Sequence, residues 1–302
     1  MVAVEVAVAA QATIGESPTW LASEGALYWI DIKRPALHRY IAANGASRTW
    51  SLTNDVGAFA LCGDGSVIVA LRHGLHCLDL STGRLDLLVP PPFDPRLFRF
   101  NGGICDHTGR FWVGVMFDPV EAGPAPRKGH LHSFTFADGL RHEEDTAELH
   151  NGMAISANAE SFFLSHSNEG VIYKFDFDVT GAGLGARSEF ARMGTDIALP
   201  DGAALDADGY YWCALHGAGR LRRYTPQGDI DCEIDLPVSK PTMCAFGGDD
   251  LGTMYVTSAS EGVNIADEPL AGALLRFRPG VKGIARSCTV RAAPTGAYFD
   301  RR

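Results

Sequence analysis

The chain has 302 residues, 46% of them hydrophobic and 21% charged, which is the balance of a globular protein able to bury about three-quarters of its unfolded surface. Its formal charge of −10, with no clustered basic patch, argues against a nucleic-acid partner, because phosphate binding needs concentrated positive charge. No run reaches the roughly 20 apolar residues of a membrane helix, so no membrane partner is expected.

The first ten residues are apolar but carry Glu5 and no basic start. They read as a strand rather than a signal peptide. Seven cysteines (62, 77, 105, 213, 232, 244, 288) are spread without a C-x-x-C pair. That argues against a disulfide framework or structural zinc and points to a reducing cytoplasm, with most thiols acting as buried small hydrophobes. The densest basic stretch, Arg220, Arg222 and Arg223, alternates along a predicted strand and reads as a solvated face.

One pattern recurs along the chain: a Gly or Asp turn, an aromatic or β-branched strand, a short break and a second strand. It spans residues 25–45, 63–83, 108–139, 160–181, 208–228 and 252–280. Six copies about 40–50 residues apart match the spacing of propeller blades. The fold class expected is therefore all-β, a six-bladed β-propeller, with residues 1–302 as one domain. Each copy supplies the two middle strands of a blade. The first strand, about residues 3–9, is expected to join the last blade and close the ring, removing its open edges.

Polar insertions lie between these strand pairs: GESPTW (15–20), RFNGG (99–103), HNGM (150–153) and LPDGAALD (199–206). In a propeller, the segments entering each blade's innermost strand end at the central channel. Glu16, Asn151 and Asp201 would there offer two carboxylates and an amide oxygen, an incomplete oxygen sphere suited to a divalent ion with water in the open positions. The alternative is plain: Asn-Gly and Asp-Gly are the commonest turn dipeptides, and Glu16 is then a surface carboxylate.

Taken together and in order, GESPTW followed by LYWIDI, then RFNGG and GRFWVGVM, HNGMAIS and PDGAALDADGYYWCAL resemble the regucalcin/gluconolactonase family, from about residue 10 to 260. The resemblance implies a six-bladed propeller with one divalent cation at the channel, held by the residues matching Glu16, Asn151 and Asp201. It implies a metal-dependent lactonase that opens a sugar lactone to the aldonic acid, with Arg99 and Asn101 holding the lactone. Asp201 is the candidate to orient or deprotonate the attacking water; activation of that water by the metal is an equal possibility. The ion is left open among Ca²⁺, Zn²⁺, Mg²⁺, Mn²⁺ and Fe²⁺, and the protein is expected to act as a monomer.

Two departures stand out. Many members carry Asp where this chain has Gly102, and an acidic substrate residue where counting places Pro119; Asp118, one residue earlier, is the candidate replacement. Structural alternatives are that Arg99 pairs with an acidic residue and Asn101 caps a turn. Among other features, no G-x-S-x-G supports a serine hydrolase. GAGLG (181–185) and DADG (206–209) read as turns rather than a phosphate loop or a calcium loop. His150, His166 and His216 fall near channel ends but read first as structural. The competing functions are a calcium-binding regulatory protein without catalysis, which would not need Arg99 and Asn101, and a scaffold propeller binding proteins at its rim.

Overall fold

The computed structural model describes residues 2–178, 183–194, 198–284 and 289–290. Its strands form six antiparallel sheets arranged as the six blades of a propeller. Blade 1 contains Gly15–Leu21, Ala26–Asp31, Ala36–Ile41 and Ser47–Ser51, and blade 2 contains Val56–Cys62, Val67–Leu71, Gly74–Leu78 and Leu85–Val89. Blade 3 runs from Phe98–Cys105 to Gly139–Ala147, blade 4 from His150–Ile155 to Gly183–Arg192, and blade 5 from Leu199–Leu205 to Ile230–Asp235. The recurring sequence unit is the middle pair of strands in each blade, as its pattern predicts.

Blade 6 is completed from both ends of the chain. Pro241–Gly247, Thr253–Ser258 and Leu274–Phe277 are joined at the outside by Glu5–Val8. The early strand thus covers an edge that would otherwise present unpaired backbone groups. Thr289–Val290 adds in parallel to Val56–Cys62 at its Leu61–Cys62 end.

Burial follows the ring. Six apolar clusters fill the six blade-to-blade contacts, from Tyr28, Ile30, Phe59 and Val69 between blades 1 and 2 to Leu27, Trp29, Tyr255 and Leu274 between blades 6 and 1. Middle strands such as Ala26–Asp31 and Val67–Leu71 are buried on both faces, which explains their continuous hydrophobic runs. Of the six described cysteines four are buried and Cys232 is exposed; Cys288 lies outside the described residues.

In every blade the first strand begins opposite the end of the second. The pairs are Gly15 with Asp31, Val56 with Leu71, Phe98 with Phe117, His150 with His166, Leu199 with His216 and Pro241 with Ser258. Residues entering a first strand and residues leaving a second strand therefore share one face of the propeller.

DADG makes the expected turn, closed by Gly209 N–H donating to the Asp206 carbonyl at 3.1 Å. Of GAGLG, residues 181–182 lie outside the described residues, and Gly183 begins a strand. The basic strand Arg220–Tyr224 is only partly a solvated face. Arg223 turns inward to the fully buried Asp206 at 2.7 Å, while Arg220 pairs at the surface with Asp235. Among the described residues no helix is long and apolar enough to cross a membrane.

Candidate metal and lactone site

Each innermost strand carries a β-bulge just after it starts, between Glu16 and Thr19, Val56 and Ala58, Asn101 and Gly103, Asn151 and Ala154, Pro200 and Ala203, and Pro241 and Met243. An extra residue at such a point bends the strand and re-aims neighbouring side chains. Gly102 and Gly152 take φ of 51° and 59° in these bulges. A Cβ on Gly152 would also collide with Ser165 Oγ and Tyr211 Oη. Asn151-Gly152 and Asp201-Gly202 are therefore bulge residues inside strands, not hairpin turns. The alternative reading of these dipeptides as ordinary turns is replaced by one in which each sits in a bulge of an innermost strand.

Glu16 and Asn151 are 6% and 7% exposed, and Asp201 keeps partial access to solvent. Burial pushes the Glu16 carboxyl up to about 7, against the opposing pull of the Ser17 N–H and Arg99. Asp201 is raised well above the ordinary carboxylate range, first by burial and then by the negative charge of Glu16; the Gly202 N–H and Arg99 act against this. Two carboxyl groups thus crowd one pocket with a single guanidinium to offset them. Such a pair is relieved by a proton or by a cation. With the Asn151 amide oxygen on the same face of the propeller, the three residues offer donors of a kind that fits a hard or borderline divalent ion.

A hydrogen-bonded chain runs across the face. Asp118 Oδ2 accepts from Lys33 Nζ at 2.8 Å, Arg72 Nη2 at 2.6 Å and Arg99 Nε at 2.9 Å. Arg99 Nη1 donates to Asn101 Oδ1 at 2.7 Å, and Asn101 Nδ2 donates to Asn151 Oδ1 at 2.8 Å and to the His150 carbonyl at 3.0 Å. Asn151 Nδ2 donates to Ser167 Oγ at 3.0 Å, and Ser167 donates to the carbonyl of Pro200, next to Asp201, at 2.7 Å. The chain joins blades 1 to 5 and fixes which end of each amide faces which partner.

Arg99, Asn101, Asn151 and Asp118 are therefore in one hydrogen-bonded network, with Glu16 and Asp201 in electrostatic reach of Arg99. Arg99 does pair with an acidic residue, and that residue is Asp118 rather than a remote surface group. Arg99 and Asn101 are only 3% and 6% exposed and largely engaged with protein partners, Arg99 holding Asn101 and Asn101 holding Asn151. Asp118 is held down to about 2: burial would raise it, but Arg99, Lys33 and Arg72 outweigh that effect. Its Oδ2 takes all three cations, leaving Oδ1 without a protein partner among the described residues. At Gly102 a Cβ would stand 3.6 Å from Asn151 Oδ1, so the Asp common at that position would place a carboxylate against the amide.

Sequence reasoning missed Asp145. It joins His150 and His166 in a buried group whose potential metal-ligating atoms lie within 4.8 Å of one another. His166 Nε2 is 2.7 Å and His150 Nε2 3.3 Å from Asp145 Oδ2, while Arg187 donates to Oδ1 at 2.9 Å. Burial would raise Asp145, yet the hydrogen bonds from the two histidines hold it well below the carboxylate range. This group can hold a metal, or it can brace the strand carrying Asn151. His216 is outside it. Asp145 sits in the outer strand Gly139–Ala147, with no local signature separating it from the acidic residues beside it. Ser167 was missed too, as were Lys33 and Arg72. Their signal is positional: each follows the second strand of its blade, as Asp118 does.

Residues 14–260 match the family profile described as SMP-30/Gluconolactonase/LRE-like region. A 6-deoxy-6-sulfogluconolactonase from Pseudomonas putida is 36% identical over 280 residues, covering 90% of this chain and 93% of that protein. Regucalcin from Gallus gallus is 30% identical over 277 residues, covering 90% and 93%. A solved structure of a calcium-binding protein, regucalcin from Agrobacterium tumefaciens, superposes with a TM-score of 0.87 at 24% identity, covering 97% of this chain and 98% of that one.

Proposed function

Because the chain belongs to the SMP-30/Gluconolactonase/LRE-like family, we propose that it hydrolyses a sugar lactone to its aldonic acid, with one divalent ion held by Glu16, Asn151 and Asp201. The observation carrying this reading is the pair of raised carboxyl groups, Glu16 and Asp201, on the face where Asn101 orients the Asn151 amide oxygen. When bound, the ion would supply Lewis-acid stabilisation of the negative charge that develops on the lactone carbonyl oxygen and lower the pKa of a bound water.

The chain's own groups set the rest. Water adds to the acyl carbon, the ring C–O bond breaks, and a proton passes to the departing ring oxygen. In this reading Asp201, which keeps partial access to solvent, orients the water and accepts its proton. Arg99 and Asn101 hold Asn151 in place and line the substrate wall. Asp118 Oδ1 accepts a sugar hydroxyl, taking the role expected of the acidic residue missing at Pro119. A cation binder without catalysis is favoured by one observation, the commitment of Arg99 and Asn101 to protein partners.

A panel of glucono-, xylono-, arabinono- and galactonolactones, followed by acid release with and without chelator, separates the two. Hydrolysis of at least one, lost on chelation, supports the lactonase. Metal binding with no turnover on any supports the binder.

A further inference from the structure

The wall of the site carries more positive charge than its acidic partners offset. Lys33, Arg72 and Arg99 converge on the single oxygen Asp118 Oδ2. Lys33 and Arg72 also share Asp55 Oδ2, at 2.9 and 2.8 Å. Three permanent cations face two carboxylates, leaving one unit of positive charge in a chain whose formal charge is −10. The Glu16 and Asp201 charges do not cancel it when a divalent ion is bound, because the ion takes them up.

The surplus has an outlet. Arg72 and Arg99 side chains are almost fully buried, whereas Lys33 is 27% exposed. Its ammonium has three N–H donors and two acceptors, Asp55 Oδ2 and Asp118 Oδ2. Arg99 Nε and Lys33 Nζ lie at 2.9 and 2.8 Å from the same oxygen, so the two cations are closer together than the length of a hexose. Asp118, which the lactonase reading assigns to a sugar hydroxyl, thus brings Lys33 beside the substrate wall, and Lys33 is the most exposed of its three cations.

Building on the lactonase reading, we propose that the substrate is a sugar lactone bearing a tetrahedral oxyanion, a phosphate or sulfonate, at the end remote from the carbonyl, and that Lys33 reads that charge. An ammonium with an unfilled donor in a half-screened pocket attracts such a group over a neutral hydroxymethyl.

The test compares glucono-1,5-lactone with its 6-phosphate and its 6-sulfonate, in wild type, Lys33→Met and Lys33→Arg. At low ionic strength the anionic lactones are expected to exceed the neutral one in kcat/KM by about tenfold, an advantage that shrinks as salt is added. Lys33→Met removes most of that ratio and Lys33→Arg keeps it. A purely structural role for Lys33 would lower all three substrates alike and leave the ratio fixed. The phosphate and sulfonate arms show which oxyanion is preferred. Equal kcat/KM for neutral and anionic lactones in the wild type overturns the inference while leaving the lactonase intact. If no lactone is hydrolysed, the lactonase reading fails, and calorimetry with gluconate and 6-phosphogluconate decides the charge preference; equal affinities overturn it.

Discussion

Asn101 donates from Nδ2 to the Oδ1 of Asn151 at 2.8 Å, tying an inner strand of blade 3 to an inner strand of blade 4 at the channel. An amide oxygen has two lone pairs, so one remains for a cation while the other holds the side chain still. Arg99 on one side and Ser167 on the other extend this link to Asp118 and to the strand bearing Asp201.

Ser167 is expected to matter for the ion without touching it. Ser167→Ala removes the acceptor for Asn151 Nδ2 and the donor to the Pro200 carbonyl. Metal affinity should fall about 10- to 100-fold, as is usual when a group orienting a ligand is lost. Stability should drop by about 1 to 3 kcal/mol. Calorimetric titration with Mn²⁺ and a thermal melt check the two effects.

The raised carboxyls make stability and metal binding depend on pH. In the metal-free protein Glu16 keeps its proton to about pH 7, whereas in the unfolded chain it releases it near the ordinary 4.5. Between these values the folded state binds more protons, so this contribution to stability is fully present below about 4.5 and is lost as pH rises to about 7. The loss is on the order of a few kcal/mol. A divalent ion should restore it, so the rise in Tm on adding metal is expected to be larger near pH 7.5 than near pH 5 (both approximate). Calorimetric scans with and without metal at the two values provide the check; equal shifts would contradict it.

Asp118→Asn keeps the shape of the side chain and removes the charge that three cations share. With the carboxylate 23% exposed and the pairs partly screened, a stability loss of about 1 to 2 kcal/mol is expected. KM for a lactone should rise several-fold, with a smaller change in kcat, because the group serves binding rather than bond breaking. Steady-state kinetics against chemical denaturation separate the two effects.

Much of the fold was legible because it repeats. Aromatic and β-branched strand pairs at regular spacing mark the blades, and burial on both faces keeps those strands apolar enough to read. Glu16, Asn151 and Asp201 were singled out because polar residues at equivalent points of a ring converge on its axis and because their motifs follow the family's in order; the dipeptides alone left them ambiguous. The bulges were not legible: Asn151-Gly152 has the same letters as a hairpin turn, and only its placement inside a strand shows that the glycine serves a bend. Asp145 was invisible for another reason. Its partners, His150, His166 and Arg187, come from three strands, and a buried carboxylate defined by long-range contacts leaves no local pattern.

The same register logic recovers part of what was missed. Lys33, Arg72, Asp118 and Ser167 all leave the second strand of a blade on the face where the first strands begin. A reading that tracked both ends of the strand pair, rather than only the entry to the first strand, would have put them beside Arg99.

Asp201→Ala removes one of the two crowded carboxylates and the proposed proton acceptor, and should lower kcat/KM by at least about a hundredfold. Glu16 should stay raised in this variant, because burial of its own carboxyl is the cause of its shift. Lactone hydrolysis and the pH dependence of metal uptake in this variant check both.

The most direct measurement is a titration of activity against bound metal. Protein stripped with chelator is given increasing amounts of a single divalent ion while lactone hydrolysis and ion content are followed together. Activity is predicted to be absent at the start and to rise in proportion to occupancy, levelling at one ion per chain, with Asp201→Ala inactive throughout. Full hydrolysis by the stripped protein, or saturation with metal without any turnover of the lactone panel, would contradict a metal-dependent lactonase built on Glu16, Asn151 and Asp201.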